Sequence, residues 1–483
     1  MILFLAFAAL VAASECGSDS CAVTESVIGR PGELRVVTAC PESQAELGAV
    51  LAEDPTVPLL LSGCGTAAKM LTPSAIDPAD PWTSVSSVLS AADAKVQRQE
   101  TPQFFYRDTK AVFLHLPEAK LSPGPELEAV KDDEVLIEKV RTSLSAPYRY
   151  GSWSLASLGV EGEPATEVTV AGALGGTSTK SNLWIGSTGA QARMHFDSSP
   201  NVFVQVTGRK TLLLAPPNRA ASAYLYPRLH PAHRQAQVDP RRADRTRFPL
   251  LADLDFSRVT LTAGDVLFLP AFWLHQVEVD AASVSVNHFV SGTSALASSL
   301  SPKEIAGQLF QLEIPMDASW LPYERVAGLV RFLGRVYESV EARGDASVGD
   351  FARSIWATRY HDVLLEDDIL TFSRSFGFVD SSEGLVRMCT KEYALLSRSK
   401  AALLDSEAKR AATLFNELPS YARSLLLSDF FEHWSIIVGL DKVPHFLHDC
   451  FDEPAAFAPV TLSLETTIDI EGEEIDESLP RPT

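Results

Sequence analysis

Met194-His-Phe-Asp197, Gln205-Val-Thr-Gly-Arg-Lys210 and Ala263-Gly-Asp-Val-Leu-Phe-Leu-Pro-Ala-Phe-Trp-Leu-His275 fall within one block, residues 184–289. His195 and Asp197 stand two positions apart, so on a strand both side chains leave the same face. His275 comes from a later strand and brings a second imidazole. Two imidazoles and one carboxylate can occupy one face of a metal ion and leave its other positions open. Such a donor set suits non-haem Fe(II) working with oxygen. Lys210 follows His195 by 15 residues. It lies beyond a Thr-Gly pair that reads as a turn, on the expected returning strand of a hairpin, where its ammonium can hold a carboxylate.

The surroundings give this spaced set its meaning. Val202, Val204 and Val206 alternate, as do Val277 and Val279, and Val284 and Val286, the period of half-buried strands. Gly264-Asp265 reads as a turn between two strands. The expected strands are 184–185, 194–206, 210–215, 258–262, 266–269, 275–279 and 283–289. His288 alternates with Asn287 and is expected to be a non-ligand. His230 and His233 sit in an arginine-rich loop and are not expected to hold a second metal.

The block resembles the JmjC/cupin-type Fe(II)- and 2-oxoglutarate-dependent oxygenases. Within them it is similar to the small hydroxylase branch of asparaginyl, arginyl/lysyl and wybutosine-tRNA hydroxylases. The resemblance is strong over residues 181–292 and thinner over 55–160. It implies an α+β fold, a double-stranded β-helix (jelly-roll/cupin) barrel with flanking N-terminal helices and a C-terminal helical region. It also implies that His195, Asp197 and His275 hold Fe(II), and that Lys210 pairs with the distal carboxylate of 2-oxoglutarate. Asn201 and Asn287 match asparagines that line the cosubstrate pocket. Tyr150, with Tyr148 as the alternative, matches a tyrosine that hydrogen-bonds the cosubstrate carboxylate; the plain reading is two half-buried aromatics. One departure stands out. Many relatives carry Ser/Thr-Pro before the first ligand histidine, where this chain has Gln191-Ala-Arg-Met194. That hydroxyl contact to the cosubstrate has no counterpart here, while the iron ligands are unaffected.

A chain of 483 residues exceeds one ordinary core, so several domains are expected. The first stretch, 1–14, is an apolar run ending in small residues and reads as a signal peptide. Residues 15–54 form a lead-in with a strand at 34–38 and a helix at 41–52. Residues 55–300 make up the oxygenase domain, with a first strand at 57–63 and helices at 82–92 and 126–144. Residues 301–460 are expected to be helical, at 303–312, 322–342, 348–359, 366–376, 392–416 and 420–437, with a break at 344–347. The remaining 461–483 form a disordered acidic tail, in which Glu465, Asp469, Glu471, Glu473, Glu474, Asp476 and Glu477 face no basic residue.

Charge narrows the function. The chain carries a net −21, which repels phosphate backbones and makes nucleic acid a poor default partner. A local exception is the insert 218–256, with Arg228, His230, His233, Arg234, Arg241, Arg242, Arg245 and Arg247. These can grip an acidic substrate, although a solvated loop is the weightier reading. Six cysteines behind a signal peptide point to some disulfide pairing, with connectivity unread. Protein-side-chain hydroxylation in the secretory pathway (ER lumen or secreted) is therefore expected, with dioxygen as cosubstrate and no membrane span after signal cleavage. The alternatives are an RNA-modifying hydroxylase or a non-catalytic lumenal binding protein. C-terminal helices pair subunits in related hydroxylases, so either a homodimer or an intrachain cover for the barrel is expected.

Overall fold

In the computed structural model, the residues described are 34–451, apart from 105–124, 134, 161–169, 172–173, 175, 177, 229, 231, 292–299, 318, 341–345, 361–377 and 391–395. The expected signal peptide, Cys16, Cys21, the expected helix at 366–376 and the acidic tail lie outside them. Twelve strands form the sheet system: β1 (Arg35–Val37), β2 (Leu59–Leu61), β3 (Lys95–Gln99), β4 (Gln103–Phe104), β5 (Glu126–Ala129), β6 (Tyr148–Ser154), β7 (Ser178–Gly186), β8 (Gln191–Phe196), β9 (Asn201–Ala215), β10 (Ser257–Thr262), β11 (Val266–Leu269) and β12 (Leu274–Ser291). Around them pack α1 (Gln44–Ala52), α2 (Gly65–Leu71), α3 (Pro81–Ala91) and α4 (Leu136–Thr142). This is the α+β jelly-roll architecture.

The two long strands β9 and β12 build the barrel. They pair antiparallel from Asn201 opposite Phe289 to Ala215 opposite Leu274. The first half of β9 also pairs with β11, and its second half with β10. β12 pairs with β8 early and with β7 late. Each long strand therefore serves two sheets and must bend between them. The bend falls at Thr207-Gly208 and at the register shifts between Val279 and Ser285. Bulges of this kind curve a sheet.

This corrects the expected hairpin. Gly208 has φ +79°, but the chain does not reverse there, and Lys210 continues the strand of Asn201. A Cβ at Gly208 would stand 2.1 Å from the Ala282 carbonyl oxygen, so the glycine serves a close strand approach inside a continuous ladder. Three other expectations change. The run 194–206 divides at 197–200, where Pro200 has no N–H for the ladder. The runs 275–279 and 283–289 are one strand. The helix expected at 126–144 is β5, a short 3₁₀ turn and α4, because Glu126–Ala129 pair with β3. The Gly264-Asp265 turn stands, with Gly264 at φ +91° and the Asp265 carboxylate accepting from the Thr262 and Gly63 amides at 2.7 Å.

The interior of the barrel holds Phe203, Leu212, Leu214, Val259, Leu261, Leu267, Leu269, Trp273 and Val277. Outside, α1 and α2 cover β2, β9 and β11, while α3 and α4 cover β7 and β12. The C-terminal helices are α5 (Pro302–Leu309), α6 (Pro322–Ser339), α7 (Val348–Arg359), α8 (Ser382–Met388), α9 (Arg398–Glu417), α10 (Ser420–Ser435) and α11 (Val443–Asp449). Ser301 and Glu304 cap α5 as a capping box, and Ser347 caps α7. Their apolar faces share one core with Met194, Phe196 and the insert, so the described helices cover the barrel within the chain. Disulfides join Cys40 to Cys64 and Cys389 to Cys450. No helix among the described residues is long and apolar enough to cross a membrane.

An ionic cluster locks the helices to the insert. Arg359 donates to Asp429 at 2.5 Å and to Glu432, and Tyr360 donates its hydroxyl to Glu432 at 2.8 Å. The Arg228 amide reaches Glu432, and the Gln237 side chain donates to the Arg359 carbonyl at 2.7 Å.

Gly208→Ala is expected to destabilise the chain by about 1–3 kcal/mol, through overpacking against backbone. Gly65→Ala, where nothing lies within 4 Å of the added methyl, is expected to stay within about 0.5 kcal/mol. Urea unfolding of the two variants checks the difference.

Candidate metal centre

His195 lies near the end of β8, Asp197 just beyond it, and His275 is the second residue of β12. His195 and His275 are directly cross-strand partners, so the pleat sends both imidazoles to one face. Their ring centroids are 4.1 Å apart. Asp197 is anchored by the Phe272 amide, which donates to its carbonyl at 2.7 Å, and its carboxylate lies 3.6 Å from His275 Nε2. One donor atom from each of the three residues falls within a 4.8 Å group. Phe272 has φ +69°, a conformation disfavoured for a bulky residue and held beside the ligands.

The donor chemistry fits a divalent metal. His195 Nδ1 lies 2.6 Å from the Arg193 carbonyl and His275 Nδ1 3.0 Å from the Trp273 carbonyl. A carbonyl oxygen only accepts, so each Nδ1 carries the proton and each Nε2 keeps its lone pair for a metal. Burial first, and then neighbouring His275 and Arg234, push His195 down to about 4, which keeps the ring neutral at pH 7.

Lys210 shares this inner face. It opposes Val279 on β12, four residues beyond His275, and Leu261 on β10. It is fully buried, donates to the Ser285 hydroxyl at 2.6 Å and stands 5.1 Å above the Phe203 ring. No carboxylate among the described residues forms a salt bridge with it. Desolvation alone pushes it down to about 7. A buried ammonium with only a hydroxyl for company fits a pocket that receives an anion.

The other named residues gather on the facing wall. The Asn287 side-chain amide donates to Asn201 Oδ1 at 2.9 Å, and its own Oδ1 accepts from the Trp184 indole at 2.7 Å. Tyr150 is buried against Phe104 and Trp184, at 5.2 and 5.9 Å between centroids, and burial raises its phenol. Tyr148 is half-buried at the edge, against Gly189. His288 is turned the other way, with its nitrogens on the Ser181 hydroxyl and the Leu71 carbonyl; it is not part of the ligand group.

Sequence reasoning missed three features. Ser285, two residues before Asn287, meets Lys210; the Val-Ser-Val-Asn alternation carried that signal. Trp184 as the partner of Asn287 had no local signal. Neither did the return of the insert to β8, where Gln235 bridges to His195, the Phe196 amide donates to Arg234 and the Ala236 amide to Met194. The insert arginines divide between inside and outside. Arg241 pairs with Asp239 and Glu278, and Arg228 stacks 3.7 Å over Phe310. Arg242, Arg245 and Arg247 are at the surface.

Residues 142–294 match the cupin-like domain. The chain carries a JmjC-type cupin domain. The barrel is similar to lysine-specific demethylase JMJ31 of Arabidopsis thaliana, 27% identical over 169 residues, 35% of this chain and 27% of that protein. It is 37% identical over 121 residues to HSPB1-associated protein 1 of Homo sapiens, 24% of each chain. It is 36% identical over 107 residues to Jumonji C domain-containing protein 5 of Drosophila melanogaster, 22% of this chain and 26% of that one. The chain thus spans about a quarter of the length of the curated relatives it matches. The likeness to JmjC-domain proteins covers the barrel, and the converging residues sit inside that barrel.

Proposed function

We propose that the chain is an Fe(II)- and 2-oxoglutarate-dependent dioxygenase that hydroxylates a protein side chain in the secretory pathway. The observation that carries this reading is the convergence of one ring nitrogen from each histidine and one Asp197 carboxylate oxygen within 4.8 Å of one another, with Lys210 buried on the same face. Bound Fe(II) and 2-oxoglutarate supply the oxidising chemistry, consuming dioxygen and releasing carbon dioxide and succinate. The protein's own part is holding and shielding. His195, Asp197 and His275 hold the metal. Lys210 receives the distal carboxylate as a point charge in a low-dielectric pocket. Asn201, Asn287 and Tyr150 provide a polar wall opposite. Leu212, Leu214 and Val277 exclude water around the reacting centre.

The two disulfides support an oxidising compartment, in accord with the apolar run at 1–14. The net charge of −21 weighs against a nucleic-acid substrate. The name of one relative describes lysine demethylation, which begins with the same C–H oxidation. Product mass separates the two outcomes, a gain of one oxygen against the loss of a methyl carbon.

Purified chain with Fe(II) is expected to convert 2-oxoglutarate to succinate, and Asp197→Ala to lower the rate by at least about 100-fold. Equal turnover in both would remove the ligand assignment. Binding of 2-oxoglutarate is expected to depend on the Lys210 proton. Because its pKa is depressed to about 7 and a carboxylate partner favours the ammonium, binding takes up a proton above that pH. The apparent Kd then rises with pH above 7, by up to about tenfold per unit. In Lys210→Met the Kd is expected to be higher and flat with pH, which anaerobic titration across pH 6.5–9 checks.

A further inference from the structure

His195 and His275 are oriented in the same way. Each ring donates from Nδ1 to the carbonyl of the residue two positions earlier, Arg193 at 2.6 Å and Trp273 at 3.0 Å. Such a contact fixes the tautomer and the plane of a ligand ring. It works only while that carbonyl stays in place. The two residues that carry the carbonyls are secured by different means. Trp273 is buried, and its indole donates to the Thr56 carbonyl at 3.2 Å. Arg193 is half-buried and stands where β8 and β12 shift register. There His195 lies opposite His275, and Ala192 opposite Val277. Arg193 and Met194 therefore share Gln276, the two-against-one arrangement of a bulge, in which the ladder is locally broken. A bulge placed next to a metal ligand needs support from outside the ladder.

The guanidinium of Arg193 gives that support. Its Nε donates to Gln103 Oε1 at 3.0 Å, and its Nη1 donates to the Gln237 carbonyl at 3.1 Å and the Ala236 carbonyl at 3.5 Å. Tyr226 adds a further contact to the same group. Gln103 belongs to β4, which pairs with β8 at Gln191 and Ala192, just before the bulge. Ala236 and Gln237 belong to the insert. A charged donor in a planar fork makes stronger and better-directed bonds than a neutral one. The insert also holds the other side of the bulge, since Gln276 donates to Asp239 Oδ1 at 3.1 Å. Residues 236–239 thus grip β8 and β12 together, on either side of the break in their ladder.

We propose that Arg193 is a positioning residue of the metal centre. Its guanidinium ties the β8 bulge to β4 and to the insert, and so keeps in place the carbonyl that orients the His195 ring. Arg193 acts through His195 and takes no part in the chemistry. The proposal rests on the metal reading of the site, and its test reads metal binding instead of turnover.

The test uses the full chain and Mn(II) as the probe, with free Mn(II) followed by electron paramagnetic resonance. Wild type is expected to bind Mn(II), and His195→Ala to lose that binding. Arg193→Met is expected to weaken Mn(II) binding about 10–100-fold, and Arg193→Lys, which keeps a charged donor, to recover part of the loss. Gln103→Leu removes one partner of the guanidinium and should cost less, about fivefold. Both changes act on one set of contacts, so the double variant should bind within about twofold of Arg193→Met alone. Arg331→Met is the control for stability. It breaks the ion pair with Asp405 in the helical region, and should lower Tm while leaving the Mn(II) Kd within about twofold, as for independent sites. Wild-type affinity in Arg193→Met, an equal loss in Arg331→Met, or fully additive losses in the double variant overturns the proposal and leaves the metal group standing. Gln103→Leu leaves Arg193 itself intact, so wild-type affinity in that variant also overturns it. Absence of Mn(II) binding by wild type removes the metal group, and the positioning role with it.

Discussion

The cross-strand pairing of His195 with His275 is the constraint on which the site depends. Strands β8 and β12 are far apart in sequence and adjacent in space, and their register alone decides whether the two imidazoles share a face. A slip of one residue would send one ring to the opposite face. The register is held from both sides. β12 is clamped along its length by β9, and β8 is held on its outer side by the returning insert. The insert is in turn fastened by the Arg359–Asp429–Glu432 cluster to the C-terminal helices. The helical region thus contributes to the metal centre without touching it, by fixing the segment that fixes β8. Removing one partner of a buried, paired cluster leaves an uncompensated charge, so damage there should spread to the strand that carries His195.

Several polar side chains interrupt the apolar interior of the barrel. Most of the interior is aliphatic and aromatic, yet a lysine, two asparagines and a serine face it. A lysine with no buried carboxylate beside it is a standing cost to the folded chain, since desolvation disfavours its charged form. The same desolvation makes its attraction for an incoming carboxylate stronger than at the surface. The asparagines satisfy one another, and Trp184 completes their set, so that wall is pre-ordered. Among the described residues, the one hydrogen-bond partner of the Lys210 ammonium is the Ser285 hydroxyl. That asymmetry, one wall satisfied and one group waiting for an anion, points to a bound dicarboxylate more directly than the presence of any single residue.

Much of this was legible in the sequence for a local reason. His195 and Asp197 are two positions apart on a strand, and period-two alternation reports facing without any tertiary knowledge. The same rule separated Asn287 from His288, whose ring indeed turns to Ser181 and Leu71. The Cys40–Cys64 and Cys389–Cys450 bonds agree with the expectation that some cysteines pair; which ones do could not be read from spacing. The failures share a cause as well. Gly208 carries the usual mark of a turn, but the same φ also serves a bulge, and only the ladder to β12 decides between them. Glu126–Ala129 look amphipathic as a helix until β3 offers them hydrogen bonds. The insert arginines divided in a way that neither reading from composition captured, because Asp239, Glu278 and Phe310 are distant in sequence.

The proposed site joins His195 of β8, Asp197 just beyond it and His275 of β12 around one metal, with Lys210 holding the far end of a dicarboxylate. A crystal structure of the full chain grown anaerobically with Mn(II), as an inert substitute for Fe(II), and 2-oxoglutarate tests it most directly. An anomalous peak is expected about 2.0–2.2 Å from His195 Nε2, His275 Nε2 and one Asp197 oxygen, with the dicarboxylate reaching Lys210. A metal bound elsewhere, an empty ligand group at saturating Mn(II), or a dicarboxylate that leaves Lys210 on Ser285 alone would contradict it.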